Sequence, residues 1–226
     1  MKQPHCHFTH KANRNKMLKT LSCRIPLAVL LFGALLIGCD SSDPEAEFIA
    51  PETVMAMDIP AAPFTGFDQL GRPFGPDTYT FFSLRTNQIV ANTDSASTLW
   101  DIGLKGSTII VNGGTSGPGE GGAQIIETLF EEVLVAPETG YAVDSADNFA
   151  IPSGSGNGWY NYNPQLQVLS PIPGRVLVIR CADGSYAKLR ILSYYQGMPD
   201  NPSFESVSRY YTFEFVHQPD GSTRFE

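Results

Sequence analysis

Histidine and cysteine carry much of the nucleophilic, metal-binding and proton-transfer chemistry of proteins, and here they are scarce and unevenly placed. Of four histidines, His5, His7 and His10 sit at the N-terminus and only His217 lies in the long remainder. A Ser-His-Asp hydrolase needs an imidazole to move the serine proton, and no G-x-S-x-G turn surrounds any serine. His217 lies in register with Tyr211, Phe213 and Phe215, which reads as the end of a strand face. A zinc centre needs three or four N or S ligands, and His217, Cys181 and scattered carboxylates form no spaced set. Glu131 and Glu132 are a carboxylate pair of the kind glycosidases use, but adjacent acids mark a solvated edge. Gly113–Gly122 has six glycines in ten residues. A phosphate loop would need a lysine and a Ser or Thr at a following helix start; no lysine follows, so a mobile or tightly turned surface loop is expected. These residues point away from an enzyme and name no catalytic or metal site.

The N-terminus is read as a targeting segment. Leu27–Gly38 is a 12-residue apolar run behind Lys16, Lys19 and Arg24. It is too short to span a bilayer, which takes roughly 20 residues, and fits a signal-peptide core. Leu36-Ile37-Gly38-Cys39 resembles a bacterial lipobox, with cleavage before Cys39 and lipid on its thiol. Residues 1–38 are therefore expected to be the signal peptide, with Met17 a more natural start than Met1. A metal cluster of Cys6, His5, His7 and His10 would be discarded with it. Residues 39–52 are expected to be a lipidated cysteine followed by an acidic tether carrying Asp40, Asp43, Glu45 and Glu47. Six of the 15 basic residues and none of the 23 acidic ones precede Cys39, which leaves nine against 23, a net charge of −14. That excludes nucleic acid as a partner, since its binding relies on Lys and Arg at phosphates, and leaves membrane contact to the lipid. Cys181 alone remains in the body, so no internal disulfide can form, and it reads as a small buried hydrophobe.

The elements that must position any site are strands. Arg175–Tyr195 reads as two of them joined by Ala182-Asp183-Gly184-Ser185, because Asp-Gly accepts the backbone of a tight hairpin. Leu177, Ile179 and Cys181 share one face, and Arg180, Lys188 and Arg190 suggest that the other is solvated, so a half-buried antiparallel sheet is expected. Thr53–Ile59, Thr78–Leu84, Gln88–Asn92, Leu99–Leu104, Thr108–Asn112, Tyr141–Val143, Trp159–Tyr162 and Arg209–His217 supply further short strands. Pro60–Pro76 reads as loop, and Gln124–Val135 as a strand start followed by one helical turn at Leu129–Val133. Many short strands at this spacing predict an all-β fold, a single antiparallel sheet domain over residues 53–226. Trp159, Tyr160, Tyr162, Tyr194, Tyr195, Tyr210 and Tyr211 cluster in the second half. Such aromatics fill cores, and would also suit a flat apolar ligand.

Read in order, several segments resemble the HmuY family of Bacteroidetes haem-binding lipoproteins. They are Tyr79-Thr80-Phe81-Phe82-Ser83, Trp100-Asp101, the S-G-x-G-x-G-G-A core of Gly113–Ala123, Gly140-Tyr141, Gly158-Trp159, Arg180–Lys188 and Thr212–Val216. The resemblance implies a lipid-anchored outer-membrane protein, on the periplasmic or extracellular face, that binds haem or a similar apolar cofactor for uptake. A TonB-dependent outer-membrane receptor is the partner it implies; an accessory lipoprotein that docks on such a transporter without binding haem is the alternative. The founding member holds the iron between two histidines. Here the segment from Gly140-Tyr141 to Gly158-Trp159 is short, and Asn163-Pro164 stands where the second histidine would fall. Haem iron takes axial His, Cys, Met or Tyr, which leaves Tyr160, Tyr162, Met198 and His217 as candidate ligands.

Overall fold

The computed structural model describes Phe48, residues 50–70 and residues 72–226. The expected signal peptide, Cys39 and most of the tether lie outside the described residues. Thirteen strands follow in order: β1 (Thr53–Pro60), β2 (Gly66–Phe67), β3 (Pro73–Phe74), β4 (Thr80–Ser83), β5 (Gln88–Val90), β6 (Ile102–Lys105), β7 (Thr108–Val111), β8 (Gly122–Glu127), β9 (Tyr160–Asn163), β10 (Val168–Pro171), β11 (Arg175–Arg180), β12 (Tyr186–Tyr195) and β13 (Ser208–Gln218). Two short 3-10 turns, Asn92–Asp94 and Phe130–Glu132, complete the described elements. Among these residues no helix is long and apolar enough to cross a membrane.

The all-β, antiparallel expectation holds, but the single sheet divides. A five-stranded sheet runs β1-β13-β12-β11-β8 and a four-stranded one runs β5-β4-β6-β7, while β9-β10 and β2-β3 form two-stranded ribbons. The two larger sheets face each other across one core. Phe82, Leu84, Ile102, Leu104 and Val111 meet Leu177, Ile179, Leu189, Phe213 and Phe215 there. Phe82 packs edge-on against Phe213 at 5.3 Å between centroids. Alternation of side chains along each strand puts these residues on one face.

The hairpin Arg175–Tyr195 pairs Arg180 with Tyr186 and turns through Gly184 at φ +85°. Its second face is not solvated as expected. Val176 and Val178 are buried under Phe130, Val133, Ala136 and Phe225. Lys188 lies beneath the same cover, 5 % exposed, and its Nζ donates to the carbonyls of Phe130 (3.0 Å) and Val133 (2.9 Å). The turn gives the Phe130 carbonyl only the Val133 N–H at 3.4 Å, and the lysine supplies both carbonyls with a shorter bond. A cationic residue on a strand thus marks a capped interior here, with its charge over the Phe130 ring.

Two further readings change, and one is narrowed. Pro60–Pro76 contains the β2-β3 ribbon rather than loop alone. Tyr141–Val143 contributes only an isolated bridge between Ala142 and Ala123. The glycine-rich stretch takes the tightly turned of its two expected forms: a Cβ on Gly119 would sit 2.7 Å from the Asn112 carbonyl and 2.8 Å from the Ala182 side chain. Glycine is needed there because backbone lies directly against backbone.

Candidate functional site

The sandwich has two unlike ends. One gathers the 181–185 turn, the start of β8 and the loops around Asn112. Asp101 is buried there, and its carboxylate accepts from the backbone N–H of Leu84 (2.8 Å), just past β4 of one sheet, and of Ala182 (3.1 Å), just past β11 of the other. Burial raises its pKa, and these hydrogen bonds oppose the rise. Asp144 accepts from Val111 (2.9 Å) and Ala150 (2.7 Å). The Asn112 amide donates to the carbonyls of Ser97 and Trp100 and accepts from the Gly119 N–H.

His217 is also at this end, with Nε2 3.0 Å from Ser185 Oγ. The Ser185 hydroxyl donates to Asp183 Oδ1 at 2.6 Å, and Asp183 pairs with Arg85. The serine proton is therefore directed to a carboxylate rather than to the imidazole, the reverse of a hydrolase arrangement. Burial lowers the His217 pKa while Asp101 and Asp183 oppose that shift. Burial likewise pushes the Cys181 thiol well up, so it stays protonated and inert. Glu131 faces solvent beside Arg190, with its pKa lowered chiefly by a backbone hydrogen bond.

The opposite end holds a cleft of about 220 Å³ lined by Phe64, Leu169, Tyr194, Tyr195, Phe204 and Arg209, with Gln167, Ser203, Ser206 and Ser208. Three segments build it: the Pro60–Phe74 region, the β9-β10 ribbon and the connection from β12 to β13. The strands anchor them. The Ala61 N–H donates to the Arg209 carbonyl (2.8 Å), the Leu169 N–H to Tyr195 Oη (2.9 Å), and the Gln196 N–H to the Val207 carbonyl (2.9 Å). Beneath lies an aromatic floor in which Trp159 packs on Tyr194 (5.6 Å) and Tyr211 (5.1 Å). Trp159 Nε1 donates to the Ser107 carbonyl and Tyr211 Oη to the Gly106 carbonyl, so the floor is bolted to the four-stranded sheet. Burial raises the pKa of both Tyr194 and Tyr211, which keeps these phenols neutral.

Large apolar side chains stand in water around this end: Phe67, Leu70 and Phe204 are 69 %, 75 % and 72 % exposed. Phe74 and Leu166 are exposed as well. Exposed apolar side chains occur elsewhere too, Leu99 near Asp101 and Val143 beside Asp144 among them, but these five lie on the segments that build one cleft, as at an interaction surface.

Of the four candidate iron ligands, three lie at this end. Tyr160 is buried in the floor, with the Ser107 hydroxyl 3.4 Å from its own. Tyr162 and Met198 are exposed and both border Tyr195. Tyr162 pairs with Leu169, which bonds Tyr195 Oη, and the Met198 N–H donates to the Tyr195 carbonyl. His217 is not with them. Its partner Ala187 precedes Tyr195 by eight residues on β12, which places it roughly 26 Å along the strand from that end. Phe64, Phe204 and Arg209 escaped sequence reasoning. For Phe64 a signal existed: Phe64, Phe67, Leu70 and Phe74 crowd a Pro/Gly-rich stretch where a solvated loop would carry polar residues. Arg209 gave none, because a cation at a strand start is ordinary.

Residues 76–215 match the model of the HmuY protein family. The chain belongs to the HmuY family. No curated protein matches it. This HmuY-family chain is similar to several crystal structures. One, described as a lipoprotein from Bacteroides fragilis, is 17 % identical, with 73 % of this chain and 87 % of that one covered, at a TM-score of 0.45. An HmuY-like protein from Bacteroides vulgatus, described as haem-binding, is 15 % identical over 62 % and 84 %, at 0.39. An apo HmuY analogue from Tannerella forsythia is 17 % identical over 75 % and 98 %, at 0.43. The family assignment rests on the sequence match; the β2-β3 ribbon and Phe64 precede the matched residues.

Proposed function

We propose that this HmuY-family protein binds haem, or a similar flat apolar cofactor, at the Tyr194 end, and does so as a binding protein rather than an enzyme. The observation that carries the reading is an aromatic-floored cleft walled by Phe64, Leu169 and Phe204, with exposed Phe67, Leu70, Phe74 and Leu166 on the segments that adjoin it. The fit is one of surface rather than enclosure. At about 220 Å³ the cleft is smaller than the ~300–1,000 Å³ of ordinary ligand pockets. A tetrapyrrole would lie across its mouth against Phe67, Leu70 and Phe204 rather than sink into it. Tyr162 and Met198 are the iron ligands this placement favours, since phenol and thioether are both haem-ligating types. Tyr160 is tied into the floor, and His217 belongs to the other end.

In the cell we place the protein on the outer membrane, anchored through Cys39 after removal of residues 1–38. The acidic tether would hold residues 53–226 clear of the lipid, where haem could pass to a TonB-dependent receptor. Titration of the purified domain with haemin tests the reading. A Soret band that grows and shifts to saturation is expected, with its position altered by Met198→Ala or Tyr162→Phe. An unchanged haemin spectrum at several-fold excess of protein would overturn it. Capture of the receptor by such a haem-blind domain would favour the accessory role instead.

A further inference from the structure

Among the described residues lining the cleft, Arg209 is the one charged side chain, and no carboxylate lines it. Of the nine basic residues after Cys39, Arg72, Arg85, Lys105, Arg175 and Arg190 are in ion pairs among the described residues, and Arg180, Lys188, Arg209 and Arg224 are not; of these four, only Arg209 lines the cleft. Arg209 is half-buried, and the cleft it faces offers Phe64, Leu169 and Phe204 but no carboxylate, so its charge is left open to solvent or to an anionic ligand. Its backbone is unusual too. Arg209 has φ +68°, a region that residues with a Cβ enter only at a cost. Such strain persists where the surroundings hold it, often at ligand sites.

The surroundings do hold it. The Arg209 carbonyl accepts from the Ala61 N–H, its Nη1 donates to the Ala62 carbonyl at 2.8 Å, and its guanidinium lies 3.8 Å above the Phe64 ring. The guanidinium is thereby held against one wall of the cleft. Of its five N–H donors, one is committed to the Ala62 carbonyl and another side-chain hydrogen bond links the group to Tyr194, which leaves donors for a ligand. A pre-oriented fork of this kind suits a carboxylate, which accepts two parallel N–H bonds.

We infer that Arg209 is the specificity-determining residue of the cleft, selecting flat apolar ligands that carry a carboxylate or equivalent anion at one edge. The apolar rim covers the body of such a ligand and Arg209 meets its charged edge. The inference rests on the cleft being a ligand site and adds which member of the apolar class it takes.

Two matched probe pairs test it. The first is haemin against haemin dimethyl ester. The second is the anionic dye 1-anilinonaphthalene-8-sulfonate against its neutral analogue N-phenyl-1-naphthylamine, read by fluorescence. The wild-type protein should prefer the anionic member of each pair about tenfold, equal to about 1.4 kcal/mol. Raising the salt concentration should shrink that ratio. Arg209→Gln should level the pairs, whereas Arg209→Lys, which keeps the charge, should retain most of the preference. A merely structural arginine would weaken both members alike and leave the ratio unmoved. Haemin and its ester binding equally well would overturn the role of Arg209 and leave the haem reading standing. An Arg209-dependent preference between the dyes without haemin binding would uphold Arg209 and overturn haem. Binding of none of the four probes would overturn both.

Discussion

At the Asp101 end of the sandwich, Asp101, Asp144 and Asn112 are buried and hydrogen-bonded to backbone groups of neighbouring segments. At the Tyr194 end, Phe67, Leu70 and Phe204 stand in water. Both ends depart from the simple rule of apolar inside and polar outside, in opposite directions. A buried carboxylate with two N–H donors is specific and costly to disturb, because removing it leaves those donors unsatisfied in a dry interior. An exposed phenylalanine costs the fold little and leaves apolar surface for something else to cover. One end therefore holds the sheets together and the other is available for binding.

The sharpest way to break this contrast is at Asp101. Asp101→Ala strands the Leu84 and Ala182 N–H groups, and about 3 kcal/mol of stability should be lost at ~1–3 kcal/mol per unsatisfied group. Urea denaturation reads this as a lower midpoint, and a midpoint within error of wild type would mean that the carboxylate does not join the sheets. Gly119→Ala should also destabilise, by about 1–3 kcal/mol, as an overpacked site does. The mirror experiment is at the other end. Phe67→Ser with Leu70→Ser and Phe204→Ser should leave stability within about 0.5 kcal/mol per site while weakening haemin binding at least tenfold. Equal haemin affinity in that triple variant would remove the functional half of the contrast.

The smallest effect is a pH slope from His217. Its pKa in the folded protein lies below the ordinary value of 6.5, because burial disfavours the imidazolium. The unfolded chain therefore binds the proton more readily just below pH 6.5, so stability is full above that value and falls as pH drops toward the folded pKa. Asp101 acts oppositely and lower. Its raised pKa means that the folded state takes up protons first, so acidification toward 3.8 returns some stability. His217→Gln should flatten the slope below pH 6.5 in pH-dependent melting, and a slope that survives the substitution would assign it to another group.

Much of this was legible before the fold. Alternation in Arg175–Arg180 and Tyr186–Tyr195, with Asp183-Gly184 between them, specifies the hairpin because side-chain direction and turn conformation are local properties. The strand start and helical turn of Gln124–Val135 appeared as β8 and the Phe130–Glu132 turn. Lys188 is misleading in the sequence: its charge suggests a solvated face, but the segment 55 to 58 residues away covers it and supplies two carbonyls to its ammonium. Residue type makes Tyr160, Tyr162, Met198 and His217 alike as possible iron ligands but says nothing about distance, and His217 lies at the far end of the sheet from the other three.

Local chemistry was sufficient for the strands, the tight turns, the acidic and cysteine-poor body, and the family pattern, because each depends on neighbours in sequence. Burial does not. Phe82 is enclosed and Phe67 exposed, Asp101 is enclosed and Asp183 at the surface, although each pair is one residue type. What separates them is which distant segment packs on top. Arg209 became a site residue only when folding laid Phe64 and Ala62, about 145 positions away, against its guanidinium.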